Sequence, residues 1–227
     1  MPEQFDQAFW DERYRSHDAL WSGEPNPHLV SETDGLTPGA ALDVAAVRAL
    51  TQSGWPNANG GSLRSTCPPT ALQRAAAHAR RLGGDVAERI DWVHSDLMNW
   101  DPGPVRYQLV SAQYLHLQSE PRQALVDHLG VAVAPGGTLL IVGHHPSDLE
   151  TTMPRPPEPD LFFTGDDIAA ELNSEEWVIV TNAAEPRTAT DPESRTVTIH
   201  DAVLRARRRR WSPPKSASIG APLRSIR

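Results

Sequence analysis

The chain has one cysteine, Cys67, among its 227 residues. That excludes an intrachain disulfide and any metal site built from several thiolates. No apolar run approaches the roughly 20 residues needed to cross a bilayer, so no membrane span is expected. The opening MPEQFDQAFWDERY is acidic and has no apolar signal core, so a cytoplasmic setting is expected. Also missing are a Gly-x-Ser-x-Gly elbow, a Walker loop and a His-Glu-x-x-His helix, which removes the common hydrolase, nucleotide-phosphate and zinc-peptidase signatures. A nicotinamide-dependent oxidoreductase is disfavoured by the lack of Gly-x-Gly-x-x-Gly and of any Tyr-x-x-x-Lys pair.

Acidic residues are scarce at one end only. From Arg205 to Arg227 there are seven arginines and Lys215 and no acid, so with a net charge of −8 overall the remainder carries −16. The tail RARRRRWSPPKSASIGAPLRSIR has paired prolines and no apolar period, and is expected to be a solvated, disordered extension over 205–227. An acidic body argues against nucleic acid as the principal partner.

What is present reads as alternating strands and helices. Phe9 to Arg15 has helical spacing, and LWSGEPNPHLVSE follows as a turn-rich connector. Ala40 to Val44 is a short strand. Ala71 to Leu82 is a helix stopped by Gly83-Gly84. Strands are expected at Ile90–His94, Tyr107–Ser111 and Thr138–Gly143, with a helix over Pro121–Val133 and a short one over Asp166–Leu172. Trp177–Thr181 and Thr196–Leu204 read as an antiparallel pair. The alternation predicts an α/β, doubly wound, mostly parallel Rossmann-like sheet with an antiparallel C-terminal edge pair. Ligands of such sheets sit at the carboxyl ends of the strands.

Several fragments in this order carry a family likeness: FWDERYRSHDALWSGEPNPHLV, ALDV, WVHSDLMNW, YQLVSAQYLHL and VAPGGTLLIVG. Together they resemble the class I S-adenosyl-L-methionine (SAM)-dependent methyltransferases, of the thiopurine- and tellurite-resistance type, over residues 9 to 204. The resemblance implies a cofactor-capping segment at 1–39, a methyltransferase domain at 40–204 and a small-molecule methyl acceptor. It also implies cofactor contacts from Tyr14 and Trp21 beside the sulfonium, Asp43 at the end of the first strand, Asp96 and Leu97 around the adenine, and Ser111 and Gln113 on the fourth strand. Cation–π attraction and carboxylate hydrogen bonds are the physical reason such residues suit a sulfonium nucleoside. Tyr14 and Trp21 serve equally well as an apolar staple, and Asp96 as a cap.

One passage departs from the family. The pattern DVGCGxG is expected after the first strand, where glycines let the backbone approach the cofactor. This chain reads DVAAVRAL, and the second strand and its terminal acid are replaced by GGSLRSTCPPT. Shifting the frame back one base from Ala45 to Thr70, with synonymous choices, turns VAAVRALTQSGWPNANGGSLRSTCPPT into VGCGAGADAVWLAEREWRVTAVDMSAN. The restored text has the glycine turn, an amphipathic helix, a strand ending in an acid, and the same length. In the polypeptide as written, 45–70 is therefore expected to be poorly ordered, with one helix and one strand of the sheet missing or badly formed. A catalytically inactive, partner-binding remnant is the alternative reading of this chain.

His144-His145 with Asp148 and Glu150 raise the thought of a metal. They are read instead as solvated polar residues, and no metal is expected. His116 is a candidate general base, but reads more simply as a helix-start residue. Methyl transfer needs mainly alignment and desolvation, so no catalytic residue is assigned from sequence.

Overall fold

In the computed structural model, residues 26–44, 61–65, 69–82, 87–97 and 99–210 are described. They build a seven-stranded sheet from β1 (Ala41–Val44), β2 (Gly61–Ser65), β3 (Ile90–His94), β4 (Tyr107–Gln113), β5 (Val133–His144), β6 (Trp177–Thr190) and β7 (Thr196–Arg208). The order across it is β3-β2-β1-β4-β5-β7-β6. The first five strands run parallel, and β7 is antiparallel to both β5 and β6. This is the expected doubly wound sheet with its antiparallel edge pair.

Among the described residues the α-helices are α1 (Pro27–Thr33), α2 (Pro69–Leu82), α3 (Ser119–Ala132) and α4 (Gly165–Glu171). Strand alternation divides the core between the two faces of the sheet. Leu139, Ile141 and Leu204 point into a cluster with Leu125, Val126 and Leu129 of α3 and Ile168 of α4. Leu140, Val142 and Val203 point the other way, against Leu29 of α1. The run Leu139–Val142 is apolar throughout because both of its faces are covered. Helix α4 starts at a capping box in which Thr164 and Asp167 satisfy each other's backbone N–H groups.

Four expectations are corrected. The second strand is present: β2 pairs in parallel with β1 on one side and β3 on the other. It ends at Ser65, before the prolines, and Pro69 opens α2, where a missing N–H is harmless. The connector after residue 25 holds a helix, because Asn26 accepts from the His28 N–H and Pro27 occupies the first turn. The turn Pro135-Gly136-Gly137 lies within β5, with Gly136 at φ 82°.

Finally, the C-terminal strands form a much longer hairpin, with the basic run starting inside β7. Arg205 bonds the Glu32 carbonyl at 2.7 Å. Arg208 caps the C-terminal end of α3 through the carbonyls of Gly130 at 3.2 Å and Val133 at 2.8 Å. Pro186 is tolerated because β6 is an edge strand. The N-terminal helix expected at Phe9–Arg15 lies outside the described residues, as do 45–60 and 211–227.

Leu204 sits fully buried in mid-β7. Leu204→Ala is expected to destabilise the fold by about 2–5 kcal/mol, read as a lower denaturant midpoint at unchanged slope.

Candidate functional site

Strand order reverses between β1 and β4, so the crevice at their carboxyl ends is where a ligand of this sheet is received. Asp43 of β1 stands in register with Ser111 of β4. The Gln113 amide donates to the Ser111 hydroxyl at 3.0 Å. Asp43 is only 4% exposed, and among the described residues neither of its carboxylate oxygens has a hydrogen-bond partner in good geometry, Ser111 being its nearest candidate donor. Burial therefore pushes its carboxyl well above the usual range, against a smaller opposing effect from Ser111. An ionisable group left this way is a polar anchor awaiting a donor, or a group kept neutral.

Asp96 and Leu97 follow β3, two strands away from β1. Asp96 is exposed and accepts from the Asn99 amide at 2.7 Å. Leu97 is enclosed in the core beside Val44 and Trp100. Tyr14 and Trp21 lie outside the described residues.

A second cluster gathers where β5 ends. The β6–β7 hairpin runs past the last β5 pairing, His144 with Asp201, and overhangs the carboxyl edge. A 3-10 turn at Pro146–Glu150 packs beneath it. Asp201 has no exposed side-chain surface. Its Oδ2 accepts from Arg187 Nε at 2.6 Å, Tyr114 OH at 2.9 Å and His28 Nε2 at 3.1 Å. Burial works to raise its pKa, but these donors and the Arg187 charge lower it to about 2.

Asp148 is equally enclosed and accepts from Arg155 Nε at 3.0 Å, Arg155 Nη2 at 2.8 Å and the His200 N–H at 2.8 Å. The expectation that Asp148 is a solvated loop residue is thus corrected: the guanidinium and backbone donors make its burial sustainable. Among the described residues, no group of three or more His, Cys, Asp or Glu is arranged to hold a metal ion.

His144 occupies the centre. Its ring lies 4.9 Å from Tyr114, 5.7 Å from His116 and 6.3 Å from Phe162, measured between centroids. Burial, then the positive charges around it, lower its pKa to about 3, with Asp201 opposing. The imidazole is therefore neutral at physiological pH. Tyr114 itself is held at φ 51°, an unusual backbone for a bulky residue, with its N–H bonded to the Val142 carbonyl at 2.7 Å.

The structure thus brings together Asp43, Ser111 and Gln113, and adds His28, Tyr114, Arg155, Arg187 and Asp201, which sequence reasoning missed. One signal was available: Asp201 interrupts the apolar run of β7. A carboxylate inside a buried strand requires partners.

Taken with its layers and strand order, the sheet is a Rossmann-like methyltransferase fold. No family model and no curated protein sequence matches the chain. Among solved structures, the N-methyltransferase NodS from Bradyrhizobium japonicum WM9, in complex with S-adenosyl-L-homocysteine, is 16% identical. It matches with a TM-score of 0.60 over 89% of this chain and 99% of that one. TehB from Haemophilus influenzae is 13% identical, with a TM-score of 0.62 over 88% of this chain and 66% of that one. A structure concerning conversion of a disulfide bond into a thioacetal group during echinomycin biosynthesis is 21% identical. Its TM-score is 0.67 over 91% and 93% of the two chains. At these identities the likeness is one of fold.

The raised pKa of Asp43 gives a test. With its folded value above the unfolded one, stability falls as pH rises from about 4 toward the folded pKa. Asp43→Asn removes that loss. The variant is expected to be more stable than the parent at pH 8, by a margin that shrinks at pH 4, as measured by thermal unfolding. A margin independent of pH contradicts the shift.

Proposed function

We propose that the chain derives from a SAM-dependent methyltransferase acting on a small-molecule acceptor, and that codons 45–70 are read one base out of frame. The observation carrying the first half is the row Asp43, Ser111 and Gln113 at the crevice of this sheet, with an unpartnered buried carboxylate at its head. Solved neighbours support it: NodS carries S-adenosyl-L-homocysteine, and a magnesium protoporphyrin IX methyltransferase from Synechocystis PCC 6803, at a TM-score of 0.52, carries SAM. The resemblance of the sequence fragments favours the thiopurine- and tellurite-resistance type within that reading.

The residues fit the cofactor in part. Asp43 would receive donors of the bound nucleoside or amino-acid group, Asp96 and Leu97 would flank the adenine, and Tyr14 and Trp21 of the capping segment 1–39 would face the sulfur. When bound, SAM supplies an electrophilic methyl group on a positively charged sulfur. The chain's own work is to align the acceptor and exclude water. What does not fit is the turn after β1, where Ala45-Ala46-Val47 replaces the small residues that allow close backbone approach.

Composition of β2 supports the displaced frame. A strand paired on both sides within a parallel sheet normally reads as Val, Ile and Leu. This one reads Gly-Ser-Leu-Arg-Ser. The restored frame puts Arg-Val-Thr-Ala-Val over the same five codons, followed by an acid. For the polypeptide as written, the second reading, a binding-deficient methyltransferase remnant that engages a partner, is favoured by the Ala-Ala-Val sequence.

Calorimetric titration with SAM tests both halves. The glycine turn and the acid after β2 account for several charge-assisted hydrogen bonds of about 1.5–3 kcal/mol each. The chain with the restored 45–70 text is therefore expected to bind at least about a thousandfold more tightly than the chain as written. Equal affinity contradicts the frame reading, and absence of binding by both chains contradicts the methyltransferase reading.

A further inference from the structure

The carboxyl edge of β5 carries two unsatisfied buried atoms that face each other. His144 Nδ1 is enclosed without a hydrogen-bond partner, and so is Asp201 Oδ1. They stand 3.9 Å apart; Asp148 Oδ2 is also 3.9 Å from His144 Nδ1 but already accepts both Arg155 donors, so among the described residues Asp201 Oδ1 is the neighbouring acceptor left without a partner. The other oxygen of Asp201 already holds three donors, from His28, Tyr114 and Arg187, so the carboxylate is fixed in orientation with Oδ1 left over. A buried donor and a buried acceptor left unmade are costly, and catalytic hydrogen bonds are often long before a ligand arrives.

We propose that His144 and Asp201 form a proton-accepting dyad for an uncharged aromatic hydroxyl acceptor, the gap between Nδ1 and Oδ1 closing when the acceptor binds. This rests on the methyltransferase reading above. Closure places the Nδ1–H on Asp201 and leaves Nε2 as a lone-pair acceptor. His144 Nε2 would then receive the acceptor's O–H proton. When bound, SAM would supply the methyl group to the acceptor oxygen and leave as a neutral thioether. The imidazolium formed is held by Asp201 and returns its proton to water. His144 is then the catalytic residue, and Asp201 the positioning residue.

Two observations select the acceptor class. The ring sides of the site are aromatic, from Tyr114, His116 and Phe162. The fixed charges next to His144 are matched: Arg155 with Asp148, and Arg187 with Asp201. A charged acceptor would meet no opposite charge left over from these pairs, whereas a flat neutral ring meets surfaces like itself. An aryl hydroxyl is also acidic enough to yield its proton to an imidazole that gains a carboxylate partner. In the unliganded protein His144 resists protonation down to about pH 3, owing to burial, Arg155, His116 and Arg187, with Asp201 opposing. Strengthening the Asp201 contact raises that value.

The test reads the His144 imidazole by nitrogen-resolved NMR on the full chain, and needs no methyl donor. With phenol as the probe, His144 is expected as the Nδ1–H tautomer, with its titration midpoint raised by at least about one pH unit over the unliganded protein. Asp201→Asn is expected to abolish the shift. Because that variant removes a buried anion from beneath Arg187 and His28, phenol against benzoate and anilinium on the unaltered chain provides an independent arm. A shift with phenol alone supports the dyad. An Nε2–H tautomer with phenol bound, an unmoved midpoint, or a stronger response to benzoate or anilinium overturns it. Failure of the restored chain to bind SAM in a parallel titration counts against the methyltransferase reading, while the His144 signal reports on the dyad separately.

Discussion

Two carboxylates without exposed surface, Asp148 and Asp201, govern the carboxyl edge of this sheet. Burying one such anion costs several kcal/mol, recovered only where charged donors meet it in good geometry. Each donor comes from a different part of the chain. His28 is on α1, Tyr114 follows β4, Arg155 lies in the loop after β5 and Arg187 is on β6. Meeting that demand draws the first helix, the hairpin and the 3-10 turn over the strand ends. Asp191 repeats the device at the hairpin tip, where Arg195 of the same turn meets it at 2.7 Å and the Thr152 hydroxyl, at 2.6 Å, anchors it to the loop after β5.

Two groups of polar side chains stand at the carboxyl edge. Around Asp148 and Asp201 most polar atoms are paired, while His144 Nδ1 and Asp201 Oδ1 have no hydrogen-bond partner among the described residues. At the crevice, β1 and β4 carry Asp43, Ser111 and Gln113, while the sequence after β1 reads Ala-Ala-Val where glycines were expected.

Much of the fold was legible because burial on both faces leaves a plain signature. Thr138–Gly143 and Ala40–Val44 read as strands from their apolar content, and Leu125 and Leu129 mark the buried face of α3. The elements misjudged were those decided by tertiary contact. The overhanging half of β6 has a mixed polar sequence and is a strand only because β7 pairs with it through Thr190. Helix α1 had a readable start in Asn26-Pro27, obscured by the surrounding prolines.

For the site, Asp43, Ser111 and Gln113 were reached through the family resemblance, and the strand register sets Asp43 beside Ser111. The Asp201 cluster joins residues from 28 to 201, and no local spacing reveals it. The basic run looked like an extension because Arg205 and Arg208 find their partners, Glu32 and the end of α3, far away in sequence.

The central claim is that a cofactor-binding sheet here carries one displaced stretch of genetic text, and the nucleotide sequence across codons 45 to 70 tests it most directly. The account predicts compensating single-base changes near the two ends, with the shifted frame between them encoding the glycine turn and a strand closing on an acid. An undisturbed frame, shared by relatives that also encode Ala-Ala-Val-Arg after the first strand, would contradict it.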